Sequence, residues 1–230
     1  MSDGSTMSTL IEVSRPQDAV AVLTLNRPEK KNALSIAVRD QLSDALDACA
    51  ADQDVKVVIL RSSGDTFCAG FDLAEFSVDE PGFQERLWES ADRFHRTVLF
   101  FPLPVIAAVQ GAALAGGLDL AVMCDIRLAA SNARFGHPEQ RWSDVVFSPL
   151  ADLVGSGPAR DLCLTGRTID AAEALRIGLV STVVEPDELA AEAARTATLV
   201  AQGPRDALMR TKAKALRRAG QRPDTATLEL

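Results

Sequence analysis

The 230-residue chain has only two histidines, His95 and His137, and only four cysteines, Cys49, Cys68, Cys124 and Cys163. The cysteines stand far apart and fit neither a zinc pattern nor a CxxC redox pair. Neither histidine has a second ligand type at metal-site spacing, so no metal centre is expected. The cysteines read as reduced, buried thiols of a cytoplasmic protein. An excess of positive charge is also missing: 24 basic residues face 32 acidic ones, a formal charge of -8. That balance argues against nucleic acid and anionic membrane surfaces as general partners. No apolar run approaches the roughly 20 residues that span a bilayer. The first residues are polar and lack the apolar centre of a signal peptide, and residues 1–9 are expected to be disordered. There is no low-complexity tract or clear linker.

What is present is a hydrophobic content of 47%, enough for a sizeable core in one large α/β domain. Strand-type runs occur at residues 10–13, 20–25, 57–61, 105–109, 126–130 and 179–184. Helical patterns occupy residues 35–50, 83–99 and 117–123. Two strands leading to a helix and on to another strand point to stacked ββα units. Residues 186–220 are almost wholly helical in pattern, with Gly203-Pro204 between two helices. The core is placed at residues 10–200, and residues 201–230 form a C-terminal helical region whose last stretch, 225–230, reads as a helix cut short.

Two glycine-rich segments have the chemistry of an anion site, residues 64–72 and residues 110–119. Each is expected to follow a strand and open a helix, where unpaired N–H groups and the positive dipole end can hold an oxyanion. Neither GxGxxG spacing nor a P-loop ending occurs, which excludes the common nucleotide sites. Taken singly, such glycines are ordinarily turn and packing residues.

Phe67-Cys68-Ala69-Gly70-Phe71-Asp72-Leu73, and Pro104 to Gly111 followed by Ala115-Gly116-Gly117, resemble the enoyl-CoA hydratase/isomerase (crotonase) superfamily. Asn26-Arg27-Pro28 with Asn32-Ala33-Leu34, Met123-Cys124-Asp125-Ile126, Phe135-Gly136-His137-Pro138-Glu139 and Leu164-Thr165-Gly166-Arg167 are similar to further signatures, in family order. The resemblance implies an α/β spiral of ββα units, a homotrimer or hexamer built with residues 201–230, and an acyl-CoA thioester as substrate. It implies no cofactor, because coenzyme A is part of that substrate. It assigns the oxyanion hole to the N–H groups of Phe71 and Gly116. Coenzyme A would be lined by Lys31, Ala33, Ala69, Gly70, Asp72, Leu73 and Gly117.

Two preplaced donors favour a thioester enolate over its ground state, because the charge on oxygen grows in the transition state. Its fate depends on acids and bases beside the acyl chain. The resemblance places these at Asp119 and Glu139, the paired carboxylates of a hydratase. Asp119 departs from the usual glutamate by one bond, near 1.5 Å, and brings the pattern close to dienoyl-CoA isomerases, in which a third acid, here Asp144, would follow. Residues 140–149 replace the usual glycine-rich turn and are several residues shorter. Trp142 and Phe147 within them are read as core, and Lys212, Lys214, Arg217 and Arg218 as a solvated helix face. A hydratase is the leading expectation. Isomerase, decarboxylase, hydrolase and a catalytically weak acyl-CoA-binding scaffold remain as alternatives.

Overall fold

The computed structural model describes residues 9–226. Of residues 1–9, expected to be disordered, 1–8 lie outside the described residues and Thr9 is described, while residues 227–230 of the C-terminal stretch also lie outside. Thr225 and Ala226, which are described, are not helical.

The chain runs β1 (Ile11–Gln17), β2 (Val20–Leu25), α1 (Ile36–Ala51), β3 (Val57–Ser62), α2 (Phe83–Leu99), β4 (Val105–Val109), β5 (Ala112–Leu114), α3 (Gly116–Met123) and β6 (Ile126–Ala130). It continues through β7 (Arg134–Gly136), α4 (Ser148–Val154), α5 (Ser156–Thr165), β8 (Ile169–Asp170), α6 (Ala171–Arg176), β9 (Thr182–Val184), α7 (Leu189–Ala201) and α8 (Arg205–Ala219). A six-stranded sheet has the order β1-β2-β3-β4-β6-β9, parallel except for the β1–β2 hairpin, and a small sheet has the order β5-β7-β8. In β4–β5–α3 and β6–β7–α4 the β1–β2–α1 order recurs, now with one strand in each sheet. These are the expected ββα turns.

Period-two alternation explains why the large sheet is covered on both faces. Ala21, Leu23, Leu25, Val58, Leu60, Val105, Ala107 and Val109 join the main core with α1, α2 and α3. Their neighbours Val20, Val22, Val57, Ile59, Ile106 and Ala108 pack on the other face against Leu189, Ala193 and Ala197 of α7. Helix α1 begins at the N-cap Ser35, whose hydroxyl accepts from the Val38 N–H at 3.3 Å.

Three expectations need correction. The last strand is confined to Thr182–Val184, because the N–H groups of Leu179 and Val180 both turn back to the Ala174 carbonyl as α6 ends. Lys212 does not belong to a solvated face: it is buried, 2.7 Å from Asp125 and 3.1 Å from the Leu103 carbonyl, and ties α8 to the core. Lys214, Arg217 and Arg218 are exposed as expected. Trp142 is 65% exposed rather than core, because it sits one residue beyond a short 3-10 turn at Pro138–Arg141 that carries it outward, whereas Phe147 packs partly against the core. The four cysteines are free and buried, and no helix among the described residues is long and apolar enough to cross a membrane.

Candidate active site

The first glycine-rich segment follows β3 but, contrary to expectation, does not open a helix. Its backbone is clamped as an extended strip between two others. Ala69 N–H donates to Lys31 O at 3.0 Å, Leu34 N–H to Gly70 O at 2.8 Å, Cys68 N–H to Ala112 O at 3.0 Å and Leu114 N–H to Cys68 O at 3.0 Å. In this pattern Phe71 bridges Leu34 through its neighbours' groups, so its own N–H points the other way. The strip is held from behind by Asn32, whose amide donates to the carbonyls of Ser63 and Thr66 at 2.9 and 2.8 Å.

The second segment does open a helix. Ala115 takes the unusual backbone angles φ 52 and ψ −132 as N-cap of α3, and its carbonyl accepts from Leu118 and Asp119. The N–H of Gly116 is left without a helical acceptor. Among the described residues neither it nor the Phe71 N–H has a hydrogen-bond partner. The two lie side by side: a Cβ built on Gly70 would stand 3.2 Å from Gly116 N, and one on Gly116 would stand 2.9 Å from the Phe71 ring. Arg39 packs on that ring, its guanidinium 4.5 Å from the centroid, while donating to Leu34 O, Leu87 O and Ser90.

The proposed coenzyme A residues divide. Leu73 and Lys31 are exposed beside this strip, Ala33 and Ala69 are half-buried, and Gly70 is buried. Asp72 is engaged by Arg27 at 2.7 Å, which holds its carboxyl below the usual range despite partial desolvation. Gly117 has a packing duty, since a Cβ there would come within 2.2 Å of Cys68 O.

Asp119, in the first turn of α3, and Glu139, in the 3-10 turn after β7, are brought together around His137. His137 Nδ1 lies 2.9 Å from Glu139 Oε1, and its Nε2 lies 3.8 Å from Asp119 Oδ1. The imidazole is fully buried, and the Asp119 and Glu139 side chains are 7% and 15% exposed. Burial pushes the Asp119 carboxyl up to about 7; Glu139 adds to the rise and His137 opposes it. For His137, burial alone would lower the pKa, but the hydrogen bond to Glu139 and the two carboxylates outweigh it and the net direction is upward. Asp144 is exposed and does not join the group. Local spacing conceals this cluster: 18 positions separate Asp119 from His137 in the chain, and only the β5–β7 pairing beside α3 closes the gap.

A profile of the enoyl-CoA hydratase/isomerase family matches residues 15–230. The chain belongs to this family. It is 40% identical over 190 residues to the crotonyl-CoA hydratase of Syntrophomonas wolfei, covering 79% of this chain and 72% of that protein. It is 40% identical over 178 residues to the short-chain-enoyl-CoA hydratase of Clostridium acetobutylicum, covering 74% and 67%. The crystal structure of the enoyl-CoA hydratase from Bacillus anthracis superposes with a TM-score of 0.83 at 30% identity, over 92% of this chain and 89% of that one. The crotonase fold expected from the ordered motifs is thus the fold observed.

The raised Asp119 carboxyl also bears on stability. A carboxyl whose folded pKa is raised contributes fully below its unfolded pKa, near 3.8, and that contribution is lost as pH rises through about 7. Asp119→Asn should therefore gain stability relative to wild type between pH 4 and 8. The limit is about 4 kcal/mol at pH 8, and protonation of His137 offsets part of it. Urea unfolding of both proteins at pH 5 and 8 measures this, and an equal difference at both pH values would count against a protonated Asp119.

Proposed function

We propose that this family member is an enoyl-CoA hydratase, which adds water reversibly across the 2,3 double bond of an enoyl-CoA. The observation that carries the reading is a pair of unengaged backbone donors, at Phe71 and Gly116, together with a carboxyl pair gathered around His137, with Asp119 in the first turn of the helix that Gly116 opens and Glu139 partly buried beside it. The two hydratases named above support it.

The thioester oxygen accepts from both donors, whose placement is fixed by the strip at residues 68–72 and the start of α3. One such donor contributes roughly 3 to 4 kcal/mol to transition-state stabilisation. Drawing charge onto that oxygen makes C3 electrophilic. One carboxyl of the pair takes a proton from water as its oxygen attacks C3, and the other, protonated, delivers a proton to C2. The pair ends with the number of protons it began with. Burial raises the Asp119 carboxyl to about 7, so that this group can carry a proton near neutrality. No group beyond coenzyme A is needed for these steps. Lys31, Ala33, Ala69, Gly70 and Leu73 border the thioester's path, and Asp72 acts through Arg27. A homotrimer or hexamer built with residues 201–230, in the cytoplasm, completes the proposal.

An isomerase is the second reading, favoured by aspartate at position 119. Purified protein with crotonyl-CoA should lose the enoyl absorbance and form the 3-hydroxyacyl thioester. Conversion of 3-enoyl or 3,5-dienoyl thioesters alone would transfer the assignment to an isomerase, and binding without conversion would leave a scaffold.

A further inference from the structure

We infer that His137 is a positioning residue of the carboxyl pair: its Nδ1–H holds the Glu139 carboxylate while its Nε2 faces Asp119, so the three side chains hold their protons as one unit. This deepens the hydratase reading and rests on it for the turnover measurements. Three buried polar atoms, Asp119 Oδ1, His137 Nε2 and Glu139 Oε2, have no hydrogen-bond partner among the described residues. Such orphans are rare in a native interior and need an explanation. Here two belong to the opposed groups at 3.8 Å, a gap that a protonated Asp119 closes by a small rotation or through one water.

Donor atoms of the three side chains lie within 4.8 Å of one another, which raises the question of a cation. The ring's two nitrogens face different carboxyls, so no one ion can take all three side chains as ligands: an ion about 2 Å from one nitrogen leaves the carboxyl on the other outside its shell. A proton shared between Nε2 and Asp119 uses the same arrangement and leaves the Nδ1–H to Glu139 in place.

The unit with two protons can exist as Glu139 carboxylate, neutral imidazole and Asp119 carboxylic acid, or as an imidazolium between two carboxylates. Both forms have the same charge. Loss of one proton leaves two carboxylates flanking a neutral ring. By offering the proton a second home, His137 raises the pH at which it is lost. The other titratable groups that act on the unit are Cys68, from the strip after β3, and Cys163, from α5. Burial pushes these thiols up to about 12 and about 11, so they stay neutral while the unit titrates.

The test compares wild type with His137→Gln and His137→Leu on crotonyl-CoA. Glutamine can still donate to Glu139 but offers no second proton site. At pH 6 it should keep kcat within about tenfold of wild type, with the basic limb of the kcat/KM profile moved down by about one pH unit. Leucine supplies neither and should lower kcat at least about 30-fold with KM within about threefold. An unmoved basic limb in His137→Gln overturns the proposal. Nitrogen NMR of the unliganded wild type and Asp119→Asn tests the same point without turnover and without the His137 variants having to fold. The chain has two histidines, and burial keeps His95 near 4 and out of the range as a reference. His137 should show the Nδ1–H tautomer at high pH and a titration that shifts in Asp119→Asn. An Nε2–H tautomer, or a titration indifferent to Asp119, overturns it. Failure of wild type to hydrate crotonyl-CoA would refute the hydratase reading while leaving this NMR result intact.

Discussion

Glu139→Gln is expected to lower kcat for crotonyl-CoA hydration by at least about 10²-fold while leaving KM almost unchanged, the pattern of a lost proton-transfer group. Glutamine has the same shape, and its carbonyl oxygen can take the place of Oε1 as acceptor of the His137 Nδ1–H at 2.9 Å. What it cannot do is gain or lose a proton at Oε2, the oxygen left without a partner. A factor of 10² corresponds to about 2.7 kcal/mol of barrier, within the ordinary worth of general acid–base catalysis. The proposed oxyanion donors, Phe71 and Gly116, lie on other segments and are untouched, so affinity for the thioester should persist. Steady-state kinetics together with thioester titration measures both quantities. Wild-type turnover in this variant would remove Glu139 from the mechanism.

The second large effect is expected at the other half of the site. Gly70→Ala should reduce kcat/KM by about 10² to 10³, comparable to removal of an oxyanion-hole donor. Gly70 has φ +97, and a Cβ there would stand 2.7 Å from Ala115 Cβ, 3.0 Å from Leu114 O and 3.2 Å from Gly116 N. The new methyl therefore presses on the segment that aims the Gly116 N–H, and the strip carrying Phe71 has to yield. Gly178→Ala provides the control, because Gly178 has φ +78 and nothing within 4 Å of the added atom. Both variants carry left-handed backbone strain of about 1 kcal/mol or more, and only the first crowds the donors. Comparing kcat/KM and the unfolding midpoint for the pair separates the two causes. Equal kinetic losses in both would mean that strain alone, and not the donor geometry, accounts for the effect.

Much of the scaffold is legible in the sequence because its signals are local. The apolar runs of β2, broken only by Thr24, and of β4, together with the helical spacing of residues 83–99, specify β2, β4 and α2 with their observed bounds. Burial on both faces is written directly into such strands. The start of β9 is not legible in the apolar run at residues 179–184, because hydrophobicity alone does not tell a strand from a helix-exit turn; the bonds to Ala174 O decide it. Lys212 looks like a surface residue for a related reason, since its partner Asp125 is 87 residues away.

The sequence by itself determined the family and the order of β1 to β4, α1 to α3 and β6, and it singled out the two glycine-rich segments, because glycines and ordered motifs constrain the backbone where they stand; the small sheet and α4 to α6 carry no such signal. Only the tertiary structure decided how those parts act. It showed that the Phe71 donor comes from a clamped extended strip rather than a helix start. It also showed that Asp119, His137 and Glu139 meet in one buried cluster. The physical reason is the same in both cases: hydrogen-bond direction and desolvation depend on what other segments bring alongside, and no spacing within a single segment encodes them.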